Sequence, residues 1–191
     1  MLIAYQKEKI ENAILFFAIK YHNITKKNLT QTKLYKFLAF LDFGIMEEYG
    51  EPALGLTYRA MKMGPVPIEI YENKEYRNND AYTFQKRPNN VYIIKVKNKK
   101  LLDLDYFSDM ELEKMDQIVQ FYIDEIVDTS EVSELSHLII KPWKRRYDLK
   151  ENDIISYDED VFTNMDKKNE YDLTPAENRY KMTKAFEELK K

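Results

Sequence analysis

The chain has 191 residues and a mass of 23.0 kDa, the size of one ordinary domain. Its 30 basic and 33 acidic residues give a net charge of −3, which excludes a histone-like, generally DNA-coating protein. The absence of cysteine excludes thiol catalysis, zinc–thiolate sites and iron–sulfur clusters.

The hydrophobic content, 44%, is that of a folded protein rather than a disordered one. No stretch approaches the ~20 apolar residues of a membrane span. The only apolar run near the start, residues 13–19, follows Glu8 and Glu11, whereas a signal peptide begins with basic residues. We therefore expect a soluble, cytoplasmic protein.

The first half of the chain predicts helices around an unusual central segment. Apolar residues at helical spacing predict helices over 7–22 and 31–48, the second with Thr30 as N-cap and Gly50 just past its end. All four glycines and three prolines lie in residues 44–67, and Pro67 suits the first turn of a short helix through Tyr71. This segment is either a tightly folded connection or a recognition surface, and the residue pattern leaves both open.

In the second half of the chain, the spacing of apolar residues first changes from a helical pattern to that of strands. Two strands are predicted around the turn at 88–90, the first with Tyr82 and Phe84 and the second over 91–96. Ser108 and Glu111 form a capping box that begins a helix with Met115, Ile118, Val119 and Tyr122 facing inward, and a shorter helix is expected at 131–139.

A second capping box, Thr174 with Glu177 and with Pro175 at the first helical position, predicts a final helix to about Leu189. The predicted fold class is therefore α+β and mainly α-helical, a single compact domain with a small antiparallel β-hairpin.

Charge is distributed in blocks. Residues 86–100 hold six cations and no acid, residues 103–134 hold eleven acids against one lysine, residues 141–146 are basic and residues 151–177 are again acidic. Such blocks either keep the surface solvated or steer a charged partner.

The sequence offers little catalytic chemistry. The two histidines, His22 and His137, lie in different predicted helices, which does not suit a metal site. Ser133 and His137 share a helix face, but a mid-helix serine lacks the sharp turn and oxyanion hole of a nucleophile. Gly50 and Gly55 are not followed by the lysine of a phosphate-binding loop. We expect no enzyme activity, no cofactor and no metal.

Some residues of the chain are of the types that are typical of protein–protein interfaces. Tyrosine, tryptophan and arginine dominate binding hot spots, and the segment 141–147 combines them, although Trp143 is equally suited to plug the core. The aromatic residues of the basic hairpin could stack on bases, but the negative net charge disfavours a nucleic-acid partner. The predicted partner contacts are Tyr82, Phe84, Lys95, Lys97, Trp143, Arg145 and Arg146.

Residues 34–71 resemble the Panacea domain, also called SocA-like or GepA-like. The resemblance lies in Asp42, Tyr49-Gly50-Glu51-Pro52, Gly55, Tyr58-Arg59-Ala60, Gly64-Pro65-Val66-Pro67 and Tyr71. Ser133 to His137, Pro142-Trp143 and Ile154-x-x-Tyr157 are similar to later family elements, although Gly44-Ile45-Met46 replaces the His-Leu pair common after the aspartate. The resemblance spans about residues 5–160. It implies a Panacea domain over 1–160, and we expect residues 161–191 to be a helical extension packed on the same domain.

The resemblance implies an antitoxin of a bacterial toxin–antitoxin pair that binds its cognate protein toxin directly. Other relatives are known only as phage-associated. The alternative it implies is a SocA-like proteolytic adaptor that delivers a client to an ATP-dependent protease such as ClpXP. It brings no catalytic residues. We hypothesise that residues 49–71 and the Trp143 region form the common scaffold, while the surfaces of the basic hairpin and the C-terminal helix select the toxin. The scaffold motif comprises Asp42, Tyr49, Gly50, Gly55, Tyr58, Gly64, Pro65, Pro67, Tyr71, Ser133 and His137.

Overall fold

Two long helices form the centre of the fold. In the computed structural model, which describes residues 3–124 and 140–189, α1 spans Gln6–Thr25 and α2 spans Gln31–Tyr49. The Thr30 side chain accepts a hydrogen bond from the Lys33 N–H, and Gly50 ends α2 in the left-handed conformation with its N–H donating to the Met46 carbonyl. Both helices are confirmed where the sequence predicts them: apolar spacing indicated each one, and for α2 the predicted caps also agree.

The glycine- and proline-rich segment forms a hairpin that the sequence analysis did not predict. Strand β1 (Tyr58–Met61) pairs antiparallel with β2 (Gly64–Pro67), and the short helix α3 (Ile68–Glu72) follows directly. Backbone hydrogen bonds join residues 152–155 to β1 at Ala60 and Tyr58, so the later chain extends this small sheet. Pro67 is the N-cap of α3 rather than its first residue.

The basic hairpin is confirmed. Strand β3 (Tyr82–Lys86) pairs antiparallel with β4 (Tyr92–Val96), and Tyr82 lies opposite Val96. The Ile94 N–H donates to the Leu29 carbonyl at 2.8 Å, which ties β4 to the connection between α1 and α2.

Three further helices surround this centre: α4 spans Asp109–Asp124, α5 spans Lys141–Leu149 and α6 spans Pro175–Glu188. The predicted capping boxes begin α4 and α6, with the Ser108 and Thr174 N–H groups donating to Glu111 and Glu177. Helix α5 was not predicted as a helix. The helix expected at 131–139 lies outside the described residues.

Short turns of helix lie between these elements: 3₁₀ turns at Glu75–Arg77, Lys99–Leu101, Met165–Lys167 and Glu170–Asp172, and a π-helical turn at Tyr157–Val161. One hydrophobic core joins α1, α2, both hairpins, α4 and α5, and it reaches Ala176 and Tyr180 of α6. The fold is therefore mainly helical α+β with two small antiparallel sheets, which confirms the predicted fold class.

Candidate protein-binding site

The Asp42 carboxylate organises the loop that connects α2 to β1. It is fully buried in α2, where Oδ1 accepts hydrogen bonds from the N–H groups of Leu54 (2.5 Å) and Gly55 (3.2 Å). Oδ2 accepts from the Leu56 N–H at 3.1 Å and from the Tyr58 hydroxyl at 3.0 Å. Burial raises the pKa of Asp42 to about 6, and the four donated hydrogen bonds oppose that rise. One carboxylate therefore fixes the whole 54–58 loop on helix α2, and we call this arrangement the Asp42 anchor.

Two side chains distant in sequence, Gln6 and Tyr157, also hold this loop. Gln6 Nε2 donates to the Leu54 carbonyl at 2.8 Å and to the Gly55 carbonyl at 3.1 Å. The Tyr157 hydroxyl donates to the Leu56 carbonyl at 3.1 Å. Residue types alone do not reveal these contacts, because the partners are 48 residues or more apart along the chain.

Two glycines of the motif allow close approaches that a side chain would block. Gly50 has φ +81°, and a Cβ there would lie 2.2 Å from the Ala176 carbonyl oxygen of α6. Gly55 has φ +63°, and a Cβ would lie 2.8 Å from a side-chain carbon of Ile3. These glycines serve backbone conformation and packing.

The aromatic and basic side chains of α5 contact other parts of the same chain. Trp143 is buried, its indole N–H donates to the Met61 carbonyl at 3.0 Å, and its ring stacks on Tyr147 at 5.0 Å. Arg146 pairs with the carboxylates of Asp160 (2.9 Å) and Glu159 (2.5 Å), and these hydrogen bonds raise its pKa.

The Arg145 guanidinium donates to the Asp160 carbonyl at 2.5 Å, so both arginines of α5 fasten the turn at Tyr157–Val161. Sequence reasoning read these arginines as partner contacts and missed Asp160, whose burial no local pattern indicates.

The β3–β4 hairpin and its flanks carry both buried aromatic and exposed basic side chains. Tyr82 and Phe84 point into the core, while the cations of this region are exposed. Lys97 donates to the Asn78 side chain at 2.8 Å and to the Asn79 carbonyl at 2.7 Å. The exposed cations, which we call the basic face although they lie on both sides of the hairpin and at its ends, are Lys86, Arg87, Lys95, Lys97, Lys99 and Lys100.

The predicted contact residues therefore do not form one surface. A partner would reach Tyr82, Phe84 and Trp143 only if the core opened, whereas Lys95 and Lys97 are accessible in the folded chain. That a partner contacts any of the seven stays a prediction. Ser133 and His137 of the scaffold motif lie outside the described residues, and the other nine motif residues lie along α2, the 50–57 loop, β1, β2 and α3.

Neither a metal-binding cluster nor a membrane-spanning helix is present over residues 3–124 and 140–189. No group of three histidine, aspartate or glutamate side chains is placed to hold a metal ion in that part of the chain. None of the helices described there has the length and apolar character to cross a bilayer.

Comparison with known families identifies the family of this chain. The model of the family described as "Antitoxin SocA-like, Panacea domain" matches residues 34–144. The match takes in α2, the Asp42 anchor, both hairpins and α4, and it ends inside α5. No curated protein and no solved structure matches the chain.

Proposed function

The chain belongs to the antitoxin SocA-like, Panacea domain family, and we propose that it neutralises a cognate toxin by binding it directly. The observation that carries this proposal is the family match over 34–144, which contains the complete Asp42 anchor. The family name supports an antitoxin-type role, and neutralisation by direct binding requires a protein toxin as the partner.

The Asp42 anchor holds the neighbouring surface rigid, and a rigid surface favours binding of a toxin. A loop held by four hydrogen bonds to one buried carboxylate loses little conformational entropy when a partner docks nearby. The buried Trp143 and the Arg146–Asp160 pair hold β1 and α5 in place in the same way. The toxin would be inactivated because its working surface is covered or because it is fixed in an inactive conformation.

The basic face supports recognition of an acidic toxin surface. Its six exposed cations lie within residues 86–100, which contain no acid, so their fields add rather than cancel. Charge of one sign on one face raises the rate of encounter with an oppositely charged partner. We propose that Lys95 and Lys97 act in this encounter and that Tyr82 and Phe84 support them from the core.

A growth assay tests this proposal. The gene next to this one is induced alone and then together with this chain. We expect the neighbour alone to stop growth and co-expression to restore it. A harmless neighbour, or toxicity that this chain does not relieve, would refute the antitoxin assignment to that pair.

A second candidate function is a proteolytic adaptor, which needs two partners bound at once. The outer side of α6 supports it: Met182, Phe186 and Leu189 recur at helical spacing with 61%, 60% and 82% exposure, far along the chain from the basic face. The toxin's half-life in cells with and without ClpX separates the two candidates. Faster, ClpX-dependent loss of toxin indicates an adaptor, and rescue with unchanged toxin half-life indicates neutralisation by binding.

A further inference from the structure

The outer side of α6 carries a line of solvent-exposed apolar side chains. Met182, Phe186 and Leu189 are 61%, 60% and 82% exposed, and Ala185 between them is exposed as well. At 3.6 residues per turn, these four positions follow one another along the helix on the side away from the buried Tyr180. Single exposed apolar residues are ordinary, whereas a contiguous set marks an interaction surface. We call these four side chains the α6 stripe.

One flank of the α6 stripe carries a cation near one end and an anion near the other. Lys181 and Glu188 lie on the same side of the stripe, two helical turns apart. Over residues 3–124 and 140–189 no cation pairs with Glu188. Lys181 pairs with Glu170 at 3.0 Å, but both side chains are largely exposed, so the pair contributes little and leaves Lys181 accessible. The flank is therefore complementary to a copy of itself that runs in the opposite direction.

The spacing of these residues selects an antiparallel pair of helices. With a two-fold axis midway between Met182 and Ala185, each Met182 packs against Ala185 of the second copy. The same axis brings Lys181 beside Glu188 of the second copy, and symmetry repeats that contact. A parallel pair would instead bring Lys181 beside Phe186 of the second copy and leave both charged groups without an opposite charge. The charges therefore specify both the occupant and its direction.

The other flank fits the same arrangement, and the length of the α6 stripe sets the expected affinity. Arg179, which is 60% exposed although it pairs with Glu51 at 3.1 Å, would lie beside Phe186 of the second copy, where a guanidinium over an aromatic ring is favourable. From Met182 to Leu189 the helix rises only ~11 Å. Such a stripe buries less than the ~1,200 Å² of a standard interface, so we expect a weak dimer with a Kd of ~10–100 µM.

We propose that the α6 stripe binds a second copy of this chain, with the two α6 helices antiparallel about a two-fold axis. This inference goes beyond the proposed function and does not depend on it, since a chain that neutralises no toxin can still form this dimer. The sequence analysis assigned the surface of the C-terminal helix to toxin selection. Self-association through the stripe leaves that selection to other surfaces, among them the basic face.

Sedimentation equilibrium of the full-length chain from ~5 µM to ~1 mM spans the expected Kd and tests the proposal. The wild-type chain should change from monomer to dimer over this range. Met182→Asp places a charge in the α6 stripe and should weaken self-association ~tenfold or more. Leu149→Asp makes the same kind of change at an exposed leucine of α5, so it is the matched control and should alter the Kd less than twofold. Both variants should keep the Tm of the wild type, because both side chains are exposed in the monomer.

A charge exchange tests the antiparallel arrangement itself. Lys181→Glu and Glu188→Lys should each weaken self-association ~tenfold, because each variant places like charges at both symmetry-related contacts. An equal mixture of the two variants should form a heterodimer about as strong as the wild-type dimer, since every contact then joins opposite charges. The variant that carries both changes should also dimerise. Glu170→Gln, which removes the partner of Lys181 within the chain, should not weaken the dimer.

The contrary outcomes are distinct. A wild-type chain that is still monomeric at ~1 mM would overturn the proposal. A dimer that the charge variants do not weaken, or a mixture that restores nothing, would show that another surface or another direction is used, and the proposal fails. If the chain is monomeric and Met182→Asp instead weakens toxin binding or slows the ClpX-dependent loss of toxin, the stripe binds a different protein. A failed growth rescue with the dimer intact would refute the proposed function alone.

Discussion

The buried Asp42 carboxylate should make the free energy of unfolding depend on pH, and a variant at this position can measure that contribution separately. Its pKa in the folded chain, about 6, lies above the ordinary value of 3.8, so the folded state binds its proton more tightly than the unfolded state does. The stability that this group contributes is therefore complete below about pH 4 and is lost as the pH rises through about 6. At ~1.36 kcal/mol per pKa unit, the loss is ~3 kcal/mol.

Urea unfolding between pH 4 and 7.5 of the wild-type chain and of Asp42→Asn measures this effect. The difference in unfolding free energy between the two proteins should fall, to the disadvantage of the wild type, as the pH rises from 4 to above 6. A difference that does not change with pH would show that Asp42 has the same pKa in both states.

An alanine substitution at Gly50, with one at Gly44 as its control, tests the packing of α6 on α2. Gly50→Ala places a Cβ at positive φ and 2.2 Å from the Ala176 carbonyl oxygen, so we expect the unfolding free energy to fall by ~2 kcal/mol or more. Gly44 lies within α2, and its Cβ would meet only the flexible end of the Lys114 side chain at 3.0 Å. Gly44→Ala should therefore change stability by less than ~1 kcal/mol in either direction. Equal losses in the two variants would contradict the close approach of α6 at Gly50.

At the scale of elements, the basic face of the β3–β4 hairpin should control the rate of toxin binding. We expect Lys95→Glu with Lys97→Glu to lower the association rate about tenfold at low salt, and the difference should shrink above ~0.5 M salt because screening removes long-range attraction. Stopped-flow or surface-binding kinetics with the toxin measure this rate.

The exposed pair Lys144→Glu with Lys150→Glu, which reverses the same charge on and just after α5, is the control. An equal slowing by both double variants would mean that overall charge, rather than the hairpin, governs the encounter.

The elements also show which parts of the fold the sequence determines locally. Helices α2, α4 and α6 were predicted because a capping residue precedes each one, and α2 also has an end signal in Gly50. The β1–β2 hairpin was missed because its four-residue strands contain Gly64, Pro65 and Pro67, which ordinarily disfavour strands. Its pairing is supported instead by residues 152–155, more than 90 positions later.

The candidate site was predictable only in part for the same reason. The family resemblance singled out Asp42, but the donors that satisfy it, at Leu54 to Leu56 and Tyr58, become neighbours only in the folded chain. Trp143 and Arg146 have the composition of a binding hot spot, and the structure gives them partners within the chain.

At the scale of the whole molecule, the C-terminal part of the chain packs on the family domain. Ala176 and Tyr180 are buried, Tyr180 lies 5.2 Å from the Phe162 ring, and Glu51 accepts a hydrogen bond from Thr183 at 2.9 Å. We propose that residues 161–191 are an extension of the Panacea domain that leaves one side of α6 for a partner. The division at residue 160 stays a prediction, since the family match covers 34–144.

The central claim is that this chain neutralises a toxin by direct binding, and titration of purified proteins tests it most directly. The non-toxic variant of the neighbouring gene product is titrated with the full-length chain in a calorimeter, and the mixture is sized by light scattering. We predict a saturable complex of defined stoichiometry with a Kd of micromolar or tighter. No heat of binding and no complex, with the growth rescue intact, would contradict direct neutralisation.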